Sequence, residues 1–187
     1  MSEDVAQSST RWSIVAVATL AGIIAGMQVG KVPPALPVLI DELDIGLVTG
    51  GWVASIVNLV SAVLGIACGL LADRVGARRI VAGGILMLIL GALAGGFATN
   101  GATLIATRAI AGIGLVSVAV AGPRMVVAAA QPRDFGLALG IWSIYIPAGM
   151  AIAMVAAPYL LDSVGWRGFW FANAAVMTVF LVWFVVA

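Results

Sequence analysis

The residue best placed to do chemistry in this sequence is Arg108, which lies inside the apolar run "LIATRAIAGIGL". A charged side chain at the centre of a membrane-spanning helix costs on the order of 3 kcal/mol, so it needs a partner or a water-filled cavity. Two interpretations carry equal weight here. Arg108 either snorkels to the outer interface and packs structurally, or lines a pathway and holds an anionic substrate or a coupling carboxylate.

A second polar pair lies in the first apolar segment. Gln28 and Lys31 are three residues apart and share one face of a helix, whereas Gly22, Gly26 and Gly30 project roughly opposite. The glycine face allows close helix packing. On the polar face we expect Gln28 in a cavity and Lys31, nearer the helix end, snorkelling to the interface.

Two further polar side chains are candidates for contact with a substrate. Asn58 has a serine three residues to either side, a stripe for which a helix contact with interhelical hydrogen bonds is the preferred interpretation. Tyr145 lies in "GIWSIYIPAGM", where Pro147 and Gly149 can kink a helix and free backbone carbonyls. Tyr145 is therefore a hypothetical cavity residue beside a bend.

The side chains that catalysis or metal binding would need are missing from the apolar segments. The chain has no His, a single Cys, Cys68, and eight acidic residues, all in or beside the breaks between segments. No nucleophile with a base, carboxylate pair or metal-ligand set can be assembled from them. We therefore expect no enzyme, metal site or cofactor, and no obvious proton carrier within the segments.

Composition indicates that the solvent of this chain is lipid. Its 187 residues are 63% hydrophobic and 9% charged, with a mean hydropathy of +1.19, whereas a soluble domain is about half apolar and a quarter charged. Runs of about 20 apolar residues span a bilayer as helices. The sequence predicts an all-α membrane protein: a tail at 1–12 and a six-helix bundle over 13–187, with spans at 13–32, 48–71, 80–98, 102–127, 135–161 and 168–187.

The positions of the basic residues predict how the bundle is oriented. A net charge of +1 and the absence of a basic patch argue against a nucleic-acid partner. Short cytoplasmic loops retain positive charge. Six arginines fall on the N-terminal side of the membrane, which predicts a cytoplasmic N-terminus: Arg11, Arg74, Arg78, Arg79, Arg124 and Arg133.

The break "GLLADRVGARR" carries a pattern of glycines and charges made by Gly69, Asp73, Arg74, Gly76, Arg78 and Arg79. It resembles the loop signature between helices two and three of the major facilitator superfamily. The helix-four signature of that family, an Arg followed by a glycine pair, is matched by Arg108, Gly112 and Gly114. The stretch "GWRGFWF" resembles the usual start of helix six, so the resemblance covers the whole chain.

This resemblance implies the N-terminal half of a twelve-helix transporter, built from two inverted three-helix repeats, that works by rocking of its halves about a central site. It implies secondary active transport of a small solute, with an anion among the candidates and protons as a candidate coupling ion, across a bacterial-type plasma membrane. The signature residues of the loop are implied to gate the cytoplasmic side, partly against the other half. Arg108 is implied to serve coupling or substrate orientation.

The sequence does not say which chain completes a transporter that contains this half. We expect a fragment of a longer transporter whose C-terminal half is missing, with pairing of two copies as the alternative. A different class of function is a non-transporting membrane scaffold or assembly subunit, whose glycine faces bind partner helices. Positive-inside topology alone would explain the loop arginines, but it gives no reason for Asp73 or the spaced glycines.

Overall fold

A computed structural model describes residues 9–186, and this part of the chain is helical, with no β-strand. Residues 1–8, most of the expected tail, and Ala187 lie outside the described residues. A short 3-10 turn, Pro132–Asp134, connects the fifth and sixth helices. The α-helices are α1 (Trp12–Gly30), α2 (Val32–Leu43), α3 (Leu47–Val75), α4 (Ala77–Gly96), α5 (Gly101–Ala129), α6 (Phe135–Ser143) and α7 (Tyr145–Val186).

Five stretches between residues 9 and 186 are long and apolar enough to cross a membrane, and the expectation of an all-α membrane protein is thereby confirmed. They are Trp12–Leu43, Leu47–Val75, Ala77–Gly96, Gly101–Ala129 and Pro132–Val186. The last stretch takes in both of the final two predicted spans. It is not one straight rod, because α6 ends at Ser143 and Gly165 inside α7 has non-helical angles, φ 68° and ψ 179°.

The sequence predicted a break between helices at "KVPPALPVLIDELDIG". This prediction is wrong in one respect, because most of the stretch is helical. α2 follows α1 after the single residue Lys31. Pro33 and Pro34 lie in the first turn of α2, where backbone N–H groups have no partner within the helix anyway. α2 ends at Leu43, and the next residue, Asp44, has a left-handed conformation, φ 48°, that a short polar side chain tolerates.

Glycines let α1 and α7 approach closely. A Cβ added at Gly26 would come within 2.8 Å of the Tyr145 carbonyl oxygen, and one at Gly30 within 2.5 Å of the Met150 Cα. Gly149 faces back onto the backbone of α1. Because the obstructing atoms are backbone, any larger side chain would separate the two helices.

The glycine pair of α5 contacts two different neighbours. A Cβ at Gly112 would lie 2.9 Å from the Val57 carbonyl oxygen of α3, and one at Gly114 would lie 2.5 Å from the Gly84 carbonyl oxygen of α4. α5 is therefore wedged between α3 and α4. Its N-terminus is fixed by a capping box, in which the Asn100 side chain accepts from the Thr103 N–H at 2.9 Å.

Contacts at the two ends of the bundle show which helix termini lie together. At the end that contains the α3–α4 turn, the Arg11 N–H donates to the Ala129 carbonyl at 2.9 Å and Arg78 donates to the Phe184 carbonyl at 3.0 Å. The beginning of α1 and the last turns of α5 and α7 therefore share this end. At the opposite end, the Trp166 indole donates to the Glu42 carboxylate at 2.8 Å.

Candidate functional site

Arg108 is fully enclosed by the bundle, with 1% of its surface exposed. Its Nε donates to the Val53 carbonyl of α3 at 3.3 Å, whereas both of its terminal nitrogens are buried without a hydrogen-bond partner. The interpretation that Arg108 snorkels to an interface is therefore wrong. A guanidinium held by one nitrogen presents its remaining donors to the interior of the bundle.

Lys31 is also buried, with 1% of its surface exposed, and the expectation that it snorkels is wrong. Its ammonium lies 4.4 Å from the centroid of the Trp170 ring, a cation–π contact with the second arm of α7. The error has a physical reason: α2 continues the path of α1, so Lys31 lies inside a long helical stretch instead of at its end.

Three more polar side chains join these two cations. Gln28 is 0% exposed and donates from Nε2 to the Met177 sulfur at 3.2 Å, which makes it a packed interior residue and not part of an open cavity. Asn173 donates to the Phe169 carbonyl at 2.9 Å. Trp170 and Asn173 are three residues apart on α7 and share a face with Met177. We call Gln28, Lys31, Arg108, Trp170 and Asn173 the interior polar cluster.

Four members of the interior polar cluster, all except Lys31, carry buried polar atoms that lack a partner. Within residues 9–186, the buried side-chain nitrogen and oxygen atoms that lack a hydrogen-bond partner are Gln28 Oε1, both terminal nitrogens of Arg108, Trp170 Nε1 and Asn173 Oδ1. Buried polar groups in folded proteins are normally paired, because an unpaired one carries its full desolvation cost. The cluster therefore combines side chains that are held by one protein contact each with further donors and acceptors that have no protein partner.

The charges of the α3–α4 turn are arranged differently. Asp73 and Arg124 form an ion pair with an Nε to Oδ1 distance of 3.2 Å, although their side chains are 59% and 37% exposed. Arg78 donates to the Phe184 carbonyl and lies 5.7 Å from the Phe184 ring. Arg74 and Arg79 are exposed. We call Asp73, Arg74, Arg78, Arg79 and Arg124 the turn cluster.

Sequence reasoning missed Arg124 as the partner of Asp73. The two residues lie in different helices and 51 positions apart, so no local spacing links them. The positive-inside bias did place Arg124 on the same side as the loop, which was the available signal. Gly69 lies in ordinary contact, 3.7 Å, with the Arg124 side chain, and Gly76 forms the turn itself with φ 98°, a conformation that favours glycine.

The remaining candidate residues lie away from both clusters. Asn58 is exposed on the outer surface of α3, and its neighbour Ser61 donates across to the Gly112 carbonyl at 3.2 Å. The Tyr145 ring stacks on Trp142 at 4.6 Å, and a Cβ at Gly22 would meet the Tyr145 Cβ at 2.7 Å. Tyr145 thus packs against α1.

The bend that the sequence predicted near Tyr145 coincides with a helix interruption. α6 ends at Ser143 and α7 begins at Tyr145. Pro147, which is exposed, has no N–H with which to donate to the Ser143 carbonyl four residues earlier. The Ala148 N–H restores the helical pattern by donating to the Ile144 carbonyl at 2.9 Å.

In the described part of the chain, no three side chains of the His, Cys, Asp and Glu types come together as metal ligands do. The interior polar cluster instead offers cationic and indole donors with two amide oxygens. Nitrogen donors in this number suit an anion, whereas metal ions take carboxylate, thiolate or imidazole ligands.

Comparison with known proteins places these features in a family. Residues 18–187 match the family model of the Major Facilitator Superfamily. The chain is 26% identical over 170 residues to the arabinose-proton symporter of Escherichia coli (strain K12), covering 90% of this chain and 36% of that protein. It is 29% identical over 167 residues to the puromycin resistance protein pur8 of Streptomyces alboniger, covering 89% of this chain and 33% of the relative.

A third relative is the multidrug resistance protein Stp of Mycobacterium tuberculosis (strain CDC 1551 / Oshkosh), which is 30% identical over 140 residues, 74% of this chain and 26% of that protein. The chain thus spans about a third or less of the length of these relatives. The names of these relatives refer to proton symport and to drug resistance. With the family model matched over nearly the whole chain, this multi-pass membrane protein belongs to the major facilitator superfamily.

Proposed function

We propose that this chain supplies the N-terminal half of a secondary active transporter that moves a small solute by alternating access. The observation that carries the proposal is the family match over residues 18–187, in a chain about a third as long as its transporter relatives. Members of such folds enclose a central site between two bundles that rock about the midplane. The missing C-terminal half, or a second copy of this chain, would supply the other wall of that site.

Within this half we propose six membrane spans arranged as two inverted three-helix repeats. Two observations support an even number of crossings: Arg11 at the start of α1 and Phe184 at the end of α7 both contact the end of the bundle that holds the α3–α4 turn. Gly165 divides α7 into two arms, each long enough for the ~30 Å hydrocarbon layer. The arginine bias supports a cytoplasmic location for this end, in a bacterial-type plasma membrane.

We propose that the turn cluster is a cytoplasmic gate. The Asp73–Arg124 pair joins α3 to α5, and Arg78 joins α4 to the end of α7, so the cluster ties four helices together at one end. Arg74 and Arg79 remain exposed and free to meet groups outside this bundle. Such surface contacts are individually weak, which suits a latch that must open and close in each cycle.

We propose that Arg108 serves coupling or substrate orientation. Its two unpaired terminal nitrogens in a water-poor interior support a role beyond packing. The relatives include proton symporters for arabinose and galactose as well as resistance proteins, which supports a small-molecule solute with protons as the candidate coupling ion. The direction of transport is a question for experiment.

A flux measurement on proteoliposomes that contain the full-length protein tests this function. Arabinose, galactose and puromycin are the probe solutes, each offered with and without an imposed proton gradient. We expect flux of at least one probe that exceeds protein-free liposomes and responds to the gradient. A correctly inserted protein that carries no solute from a broader sugar and drug panel would contradict the proposal and favour the scaffold function.

A further inference from the structure

The two cations of the interior polar cluster lie in the bundle without a protein counterion. The ion pairs found among residues 9–186 are Asp73–Arg124 and Arg133–Asp134, and neither involves Lys31 or Arg108. Burial of a charge is tolerated when the charge is paired and hydrogen-bonded. An anion beside them would supply the counterion that the described part of the chain does not provide.

The donors of this site come from α5, from α7 and from Lys31, the residue that connects α1 to α2. Arg108 on α5 supplies two unpaired nitrogens, and Trp170 on α7 supplies the unpaired Nε1. The Lys31 ammonium lies over the ring of the same Trp170. A Cβ at Gly95 of α4 would come within 2.8 Å of Trp170 Nε1 and 3.2 Å of Thr107 Oγ1, so the indole N–H and the turn that carries Arg108 adjoin the same glycine.

We propose that Lys31, Arg108 and Trp170 Nε1 bind a small monovalent anion, such as chloride, as a resident ligand inside this bundle. The proposal goes beyond transport, because the anion is a bound component of the fold whatever solute is carried. The three donor groups satisfy it through charge-assisted hydrogen bonds. The terminal nitrogens of Arg108 and Trp170 Nε1 would thereby gain the partner that they lack within the described residues.

The surroundings favour a small anion of single charge. Lys31, Arg108 and Trp170 are each at most 1% exposed, and Leu39, Leu104 and Phe169 are buried in the adjoining apolar core. These side chains carry enough N–H donors for a tetrahedral oxyanion as well, so the close enclosure of the site, and not the number of donors, favours the smaller ion. A halide needs few donors and little space.

Binding can be measured on the full-length protein purified in detergent, with chloride and gluconate compared at equal ionic strength. We expect chloride to raise the Tm by about 5 °C, because a ligand that binds only the folded state stabilises it. Saturable binding of radioactive chloride should accompany the shift, and sulfate should compete poorly. Equal Tm values in both salts together with no saturable chloride binding would overturn the proposal.

Two tryptophan variants provide a matched pair. Trp170→Phe keeps an aromatic ring under Lys31 but removes the Nε1 donor, so chloride affinity should fall about tenfold. Trp166→Phe removes an equally buried indole whose Nε1 donates to Glu42. Because the Trp166 ring packs edge-on against Trp170, with 5.6 Å between centroids, and phenylalanine keeps an aromatic ring there, chloride affinity should change far less than in Trp170→Phe. Equal affinities in the two variants would place the anion elsewhere and overturn the assignment.

Lys31→Met removes one charge and should abolish the chloride-dependent Tm shift. If Lys31→Met fails to fold, the two tryptophan variants still decide the question, because both retain the two cations and an aromatic ring. Solute flux and chloride binding, measured in parallel on the unaltered full-length protein, separate this proposal from the transport function. Flux without chloride binding would refute the anion site alone, and chloride binding without flux would refute transport alone.

Discussion

The turn cluster and the interior polar cluster place similar side chains in opposite circumstances. In the turn cluster, Asp73 and Arg124 are paired although water could solvate both of them. In the interior polar cluster, Arg108 and Lys31 are buried without a carboxylate, and their contacts are the Val53 carbonyl and the Trp170 ring. The distribution is the reverse of what solvation alone would favour, since unpaired charge is cheapest at the surface.

This contrast separates a region that can change its contacts easily from a region that is suited to binding. Exposed ion pairs contribute between 0 and about 1 kcal/mol, so the turn cluster can be broken and remade at little cost. Unpaired groups in the interior are expensive, and their retention indicates a ligand or a coupling event. The first region is suited to a latch, and the second to a binding or coupling site.

The largest expected effect tests the interior. Arg108→Ala should reduce transport about 100-fold, equivalent to about 2.7 kcal/mol, because it removes the unpaired donors as well as the charge. Arg108→Lys keeps a cation and should lose less. Flux rates at matched protein density in proteoliposomes check this. Equal rates for the two variants would assign Arg108 a purely structural role and remove the contrast between the clusters.

The next effect tests how rigidly the interior is held. Gly30→Ala adds a Cβ at 2.5 Å from the Met150 Cα, next to Lys31, so α1 and α7 must separate. We expect a loss of about 1–3 kcal/mol in the free energy of unfolding, measured by thermal or denaturant unfolding in detergent. Gly65→Ala is the control, since no atom lies within 4 Å of its added Cβ. A similar loss at Gly65 would show that helix packing is not the cause.

A smaller effect tests the gate. Asp73→Asn should slow transport about tenfold while membrane insertion is unchanged and the free energy of unfolding changes by less than about 1 kcal/mol. Arg124→Gln removes the same ion pair, so the double variant should be no slower than either single one. Flux and insertion assays on all three variants check this. Unchanged flux in Asp73→Asn would remove the gate from the mechanism.

The smallest effect separates two neighbouring arginines of the turn cluster. Arg78→Gln loses the bond to the Phe184 carbonyl and should cost about 1 kcal/mol of unfolding free energy. Arg79 is exposed, and Arg79→Gln should change stability by less than about 0.5 kcal/mol. Unfolding of the two variants under identical conditions is the measurement. Equal values would show that the bond to Phe184 adds nothing to stability.

Much of the fold follows from hydropathy and from Pro, Gly and charge. The apolar segments and the helix interruption near Pro147 could be predicted, because both depend on local chemistry. The helical structure of α2 could not be predicted in this way. Its prolines indicate a break between helices unless they are recognised as residues of a first helical turn. Sequence reasoning predicted the wrong environment for Lys31 and missed the role of Arg124. Both residues depend on partners from helices that are distant in the sequence. Spacing along one helix carries no information about what faces it.

The Gly165 angles, φ 68° and ψ 179°, have a consequence for how this sequence can vary. That region of conformational space is essentially accessible to glycine alone. No atom lies within 4 Å of a Cβ added there, so the restriction owes nothing to crowding. In a library that varies every codon singly, Gly165 should therefore be intolerant of every alternative, including alanine, despite the open space around it. The constraint at this position comes from the backbone conformation, so side-chain contacts give no sign of it.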